Sequence, residues 1–425
     1  MKAILNLIAA ASLLAAASFA QPANYTFTDL GPPGTPFSAP AFINNHGLIT
    51  GSGLAPDFSS HAVLWYNGVA TDISQAGYGG INSGAGPVNN SGQVVVGAET
   101  ASFDPNNENF CAFFTNSQCI VFMWQNGAIT PLPTLGGTNS NWGAMNNRGE
   151  IAGWAETGTK DPDCLSTPMP NGVGPQVLYF EAVVWGPLPG QIRQLAPLPG
   201  DSVSLAAGIN DNGQAVGLSG QCSNTELPPY LAGPHAVFWD ADGSVHDLGS
   251  FGGTFNPSIL AVGNAALAIN NDGQVVGTSA VADNSANQPF IWSEATGILH
   301  LPLLAADVVG AGLDINNSGE AVGVSISTGG AASGFPKAVL WPNGASGGVT
   351  DLNSLLTPDS PFVALFTAFV INDGGEIVGI GLTAGGEVHA FLATPTTNAA
   401  ASSGAKVTPP ANLPAPVRKL LFGRR

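Results

Sequence analysis

The chain has 425 residues, of which 44% are hydrophobic and only 9% charged, against roughly a quarter charged in an average globular domain. Its 10 Lys and Arg face 28 Asp and Glu for a formal charge of −18. Lys406, Arg418, Lys419, Arg424 and Arg425 lie near the C-terminus and Lys2 at the start, so the body keeps only Arg148, Lys160, Arg193 and Lys337 against all the acids. Such a body repels nucleic acid and anionic membrane surfaces.

From the N-terminus, "MKAILNLIAAASLLAAASFA" reads as a secretory signal peptide over residues 1–20. Lys2 is the positive start, Ala3 to Ala17 an uncharged apolar run, and Ser18 and Ala20 the small residues before a cleavage at Gln21. A retained N-terminal anchor is the alternative, although the run is short for a membrane span. No later segment is long and apolar enough to cross a bilayer.

"NYTFTDL" (Asn24 to Leu30) is a strand pattern, and a repeat follows it. Seven Asn-rich turns close on Gly47, Gly92, Gly149, Gly213, Gly273, Gly319 and Gly375, at intervals of about 45 to 64 residues. Gly supplies the positive φ of such turns, and Asn or Asp closes the bend through its own side chain. A second glycine follows each turn: Gly51, Gly97, Gly153, Gly217, Gly277, Gly323 and Gly379. Next comes an apolar strand ending in Trp65, Trp124, Trp185, Trp239, Trp292 and Trp341, with Phe391 in the seventh copy. A short strand such as "GVATDI" or "GSVHDL" then completes each of the first six units.

Four short strands in a repeat of this length are a propeller blade. The seventh copy lacks its fourth strand, while Asn24 to Leu30 carries the same Thr-Asp-Leu ending as Thr71-Asp72-Ile73 and Thr350-Asp351-Leu352. The expected fold is therefore all-β: a seven-bladed β-propeller of four-stranded antiparallel blades over residues 21–395, the last blade closed by the N-terminal strand. Closure removes the exposed edges of an open array. The repeated Trp is expected to pack between blades.

"HAVFW…GSVHDLGSFGGTFN…LAINNDGQVVG", from His235 to Gly277, resembles the HAF-type extracellular repeat family of bacteria. "TLGGTNS" at Thr134 and the literal His389-Ala390-Phe391 match the same pattern, and the resemblance spans about Tyr25 to Ala393. It implies export and a propeller-like repeat, and brings no catalytic residue. Blades two, three, five and six depart from it by lacking the His.

The long insertions, Ala98 to Ile120, Ala155 to Phe180 and Ser219 to Pro234, fall in second turns and share one face with the links between blades. Variable loops on a rigid scaffold are where function concentrates. All four cysteines lie in these insertions. Three connectivities are open, and Cys111–Cys119 with Cys164–Cys222 is the favoured one, in keeping with an exported protein. The same face offers Trp142, Trp154, Asp161, Asp163, Tyr179, Tyr230 and Phe255 as ligand-binding candidates, together with Phe110 and Phe113; packing of the long loops is the competing role for them.

The six His do not cluster: His61, His235 and His389 share one blade position, which repetition explains. "DADGSVHD" (Asp240, Asp242, Asp247) hints at a structural calcium loop but lacks the full ligand ladder and closing Glu. No other metal or cofactor is indicated. Residues 396–425, rich in Ala, Pro, Ser and Thr, read as a disordered tail with a basic-apolar end.

The resulting expectation is a secreted, monomeric binding or structural module. Its ligand, a glycan or an extracellular protein, sits on the insertion-bearing face of blades two to four. An extracellular polysaccharide lyase or hydrolase with carboxylates near the central opening is the alternative.

Overall fold

The computed structural model describes residues 24–31, 37–108, 110–111, 113, 115–164, 176–226, 231–256, 258–259, 262–327 and 335–396. The expected signal peptide and basic tail lie outside these residues, as does Tyr230.

The described strands form seven separate antiparallel sheets of four strands each. From the axis outward, blade one is Ser38–Ile43, Ile49–Leu54, Ser60–Tyr66 and Val69–Asp72. Blade two is Ser83–Val88, Val94–Phe103, Ser117–Gln125 and Ala128–Pro131. Blade three is Gly136–Met145, Ile151–Lys160, Leu178–Trp185 and Ile192–Leu195; blade four is Val203–Ile209, Ala215–Gly220, His235–Trp239 and Val245–Asp247. Blade five is Ala265–Ile269, Val275–Ala280, Asn287–Ser293 and Gly297–His300, and blade six Val309–Ile315, Ala321–Ile326, Pro336–Trp341 and Thr350–Asp351. Blade seven joins Phe362–Ile371, Ile377–Thr383 and Val388–Thr396 to the N-terminal strand Asn24–Asp29.

The closing strand pairs in the expected register, from Asn24 opposite Thr396 to Asp29 opposite Phe391. Leu30 N–H continues the pairing to Ala390 C=O at 2.9 Å. Tyr25 and Phe27 are thereby buried with Phe362 and Phe391. No helix among the described residues is long and apolar enough to cross a membrane.

The third-strand Trp residues hold neighbouring blades together. Trp65 packs against Val370, Val378 and Ala390 of blade seven, Trp185 against Val95 and Val121 of blade two, and Trp239 against Ala152, Ala182 and Val184 of blade three. Each is worth roughly 1.5–3 kcal/mol on burial. Trp65, Trp185, Trp239 and Trp341 also donate Nε1–H, each at 2.7 Å, to the carbonyls of Leu30, Pro133, Ala196 and Pro302 on the preceding blade or its link. The buried indole is thus satisfied as well as desolvated.

All seven innermost strands break register just before the Asn pair, for example between Gly312 and Asp314 or Ala368 and Val370. Such bulges bend a strand and re-aim its side chains. They also press a carbonyl onto the neighbouring strand. A Cβ on Gly323 would sit 2.0 Å from Ala311 O, and one on Gly379 2.0 Å from Thr367 O. The second glycine of the repeat is therefore dictated by close approach in strand two, while its turn glycines are dictated by φ, between 74° and 81° at all seven sites.

Candidate functional site: the axial cavity

The Asn pairs do more than shape turns. Asn372 Oδ1 accepts from Gly374 N–H and Glu376 N–H in its own turn, and its Nδ2 donates to Asn44 O in the next blade at 3.1 Å. The same inter-blade bond runs from Asn44 to Asn89 O, Asn146 to Asn210 O, Asn210 to Asn270 O, Asn270 to Asn316 O and Asn316 to Asn372 O, at 3.0 to 3.1 Å. The second residue of the pair closes a complete ring. The backbone N–H of Asn45 donates to Asn90 Oδ1, Asn90 to Asn147, Asn147 to Asp211, Asp211 to Asn271, Asn271 to Asn317, Asn317 to Asp373, and Asp373 back to Asn45, all at 2.7 to 3.1 Å.

This amide girdle surrounds one end of an axial cavity of about 1300 Å³. The wall is built by the innermost strands. Phe42, Trp142 and Met145 line one side; Leu267, Ile269, Leu313, Ile315 and Phe369 line the other. At the insertion-bearing end the lining is Phe113, Leu231, Ile259 and Ser285 to Asn287. Apart from the disulfide-bonded Cys111, the ionisable side chains among the described lining residues are Asp211, Asp314 and Asp373, with no Lys, Arg, His, Glu or Tyr. Asp211 and Asp373 belong to the girdle: Asp211 accepts from Asn147 and Asn271 side chains, Asp373 from Asn317 and Asn45. Asp314 stands apart, in the wall. Desolvation pushes its carboxyl up to about 7 despite backbone N–H donors from Ile371 and Ile315.

The sequence candidates do not share one surface. Trp142 lines the cavity, half-buried, edge-on to Phe42 at 6.0 Å. It lies so close over Gly86 and Gly97 of blade two that a Cβ on either would meet the indole. Trp154 also borders the cavity but is 1% exposed, buried with Phe110, Phe180, Cys164 and Cys222, and its Nε1 has no hydrogen-bond partner among the described residues. Asp161 is buried too, accepting from Asp163 N–H and Ser202 Oγ, so it offers no open carboxylate. Asp163 is exposed and Tyr179 half-buried beside it, the two aspartates pushing the phenol up. Phe255 is half-buried on the link between blades four and five. Phe110 packs loops, as a structural role requires, whereas Phe113 faces the cavity.

No protein family and no curated protein matches this chain by sequence. Solved structures match it in fold. A puromycin hydrolase mutant complexed with PGG aligns over 88% of this chain at 14% identity and a TM-score of 0.52. The chain spans about half the length of that enzyme, 55%. A putative TolB from Agrobacterium tumefaciens aligns over 77% of this chain and 95% of its own, at 12% identity and TM-score 0.40. The six-bladed lectin of Aleuria aurantia aligns over 62% and 77%, at 11% and 0.33. At these identities the likeness is one of fold alone.

Other polar clusters in the molecule are structural in their connections. Cys111–Cys119 and Cys164–Cys222 are disulfides with Cα separations of 6.0 and 5.1 Å. Asp104, Glu108 and Glu156 bring three buried carboxylates within 4.8 Å, a donor set of the kind hard cations take. Their hydrogen bonds come from Thr138, Asn139, Gln176 and the Val177 and Leu178 N–H groups, which ties the blade-two insertion to blade three. Burial, reinforced by Glu108, pushes Glu156 up to about 8.

The repeated His has a partner that spacing did not reveal. His61, His235 and His389 each bind the fourth-strand aspartate of their blade: Asp72 at 2.7 Å, Asp247 at 3.3 Å and Asp29 at 3.0 Å. Asp240 binds His246 and Asp242 caps its own turn through Ser244, so these carboxylates serve local contacts.

Proposed function

We propose that this protein is an exported binding module whose ligand occupies the axial cavity, reached from the face bearing the insertions of blades two to four. One observation carries the reading: a large apolar cavity on the axis, with a ring of amides at one end and no cationic side chain in the described lining. Apolar pockets with a few placed polar groups are the usual form of small-molecule sites. The ligand chemistry that fits is apolar or amphipathic, which departs from the sequence-based expectation of a glycan or protein partner. Export is supported by the signal-like N-terminus, by two disulfides and by the resemblance to HAF-type extracellular repeats. The hydrolase alternative has the carboxylates of Asp211, Asp314 and Asp373 to draw on, but the first and last are held by Asn side chains of the girdle and no Glu, His, Arg or Tyr joins Asp314 among the described lining residues.

Titration with the uncharged fluorophore N-phenyl-1-naphthylamine tests this. Ala207→Trp places an indole into the cavity from the half-buried bulge of blade four. Wild type is expected to bind the probe saturably near one per chain, and the variant at least tenfold more weakly while melting cooperatively. Equal binding by both, or linear uptake without saturation, overturns the reading.

A further inference from the structure

We propose that the axial cavity selects an organic cation, an ammonium group carried on an apolar body, and that Asp314 is the residue that reads the charge. This rests on the cavity being the ligand site and adds the class of ligand.

Asp314 departs from the repeat. The residue two before the Asn pair is Phe42, Pro87, Ala144, Gly208, Ala268 or Val370 in the other six blades. The template therefore asks for an apolar or small residue in the inner wall, and Asp314 alone carries charge there. A carboxylate in a desolvated wall is costly unless it is paired. Asp314 remains half-buried, lines the cavity, and receives only backbone N–H groups, with Ile371 N–H at 2.8 Å from Oδ2. Two donors do not exhaust the acceptor capacity of a carboxylate.

Among the described residues the cavity wall supplies no counter-charge. The charge that acts on it is that of Asp373, another acid, already bound by Asn45 and Asn317. An anionic ligand would meet three aspartates and, among the described lining residues, no base. A neutral apolar ligand would leave Asp314 desolvated and unmatched. A cationic one gains a charge-assisted hydrogen bond while Leu313, Ile315 and Phe369 receive its apolar part. Nothing in the wall strand needs the charge, because Ala144 and Ala268 occupy equivalent bulges without it.

The test is calorimetric titration of the full chain at pH 8 with n-octylammonium, 1-octanol and octanoate, in wild type, Asp314→Asn and Asp314→Ala. Asn keeps an oxygen for Ile371 N–H, and Ala reproduces the residue of two sister blades. Wild type should prefer octylammonium over octanol by about tenfold, with octanoate weakest. Both variants should bring octylammonium to within about threefold of octanol. Equal affinity of amine and alcohol in wild type, or a preference that survives both variants, overturns the assignment of Asp314. Binding of none of the three overturns the cavity reading itself. An acetylated Phe-Lys-Phe amide, run alongside, separates the sources of the ammonium: tighter binding than octylammonium assigns it to a lysine side chain of a peptide, weaker binding to a free amine.

Discussion

Asn45 of the first blade and Asp373 of the last bind each other twice across the closure of the ring. Asp373 N–H donates to Asn45 Oδ1 at 3.0 Å, and Asn45 Nδ2 donates to Asp373 Oδ2 at 2.8 Å. The contact joins residues 328 apart in sequence. It is the closing link of a seven-membered girdle that every blade contributes to, and it stands beside a second closure, the strand Asn24–Asp29 on Val388–Thr396.

The two closures predict unequal effects of truncation. Deleting residues 21–30 removes a strand, uncovers Phe391 and takes the carbonyl of Leu30 from Trp65. Deleting everything after Thr396 leaves all described strands intact. The first deletion should lower the melting temperature by 10 °C or more or abolish folding, and the second should change it by less than about 2 °C. Equal melting temperatures would contradict the closure.

The girdle predicts that Asn is needed for both of its side-chain groups. Asn316→Ala strands the N–H groups of Ser318 and Glu320 and the carbonyl of Asn372. A loss of about 1–3 kcal/mol in urea unfolding is expected for each such buried set. Asn316→Asp keeps the acceptor but replaces the donor facing Asn372 O, and should be no better than Ala.

The two kinds of repeat glycine predict different penalties. Gly323→Ala drives a methyl into Ala311 O, which only a backbone shift relieves; about 1–3 kcal/mol or more is expected, as for overpacking. Gly47→Ala meets open space at a φ of 76°, so its cost is the left-handed strain alone, roughly 1–2 kcal/mol. Equilibrium unfolding of both variants measures the difference.

Glu156 predicts a stability that falls as the pH rises from mildly acid to about 8. Its folded carboxyl titrates near 8, above its ordinary 4.5. Its contribution is whole below pH 4.5, declines as the pH rises towards 8, and is gone above it. Glu156→Gln removes this decline. The variant should gain on wild type by a few kcal/mol between pH 5 and pH 9, read as the difference in urea midpoints; a constant difference would show that Glu156 is not held protonated.

The architecture was legible because each blade spells its turns, its Trp and its strands alike, and because the odd fourth strand sits at the opposite terminus. The girdle was less so. Asn and Asp at positions 45, 90, 147, 211, 271, 317 and 373 read as turn formers, and the turn alone would justify them; only the ring geometry shows that the second residue reaches the next blade. The cavity was hidden for a similar reason. Bulges in the innermost strands leave no composition signal, so Leu313 and Phe369 read as ordinary strand residues. Aromatics in and beside the insertions drew attention instead, and Trp154 and Phe110 proved to be core. Asp314 was visible as a departure from the repeat, in "LDINNSG" against "LAINNDG", but its meaning depends on facing the axis.

The most direct measurement is anomalous diffraction from crystals soaked in 1-bromooctane. The axial-site account predicts a bromine peak inside the axial cavity, against Trp142 on one side or Leu313 and Phe369 on the other. Bromine found only on the outer surface or among the insertion loops, with the axis empty, would contradict it.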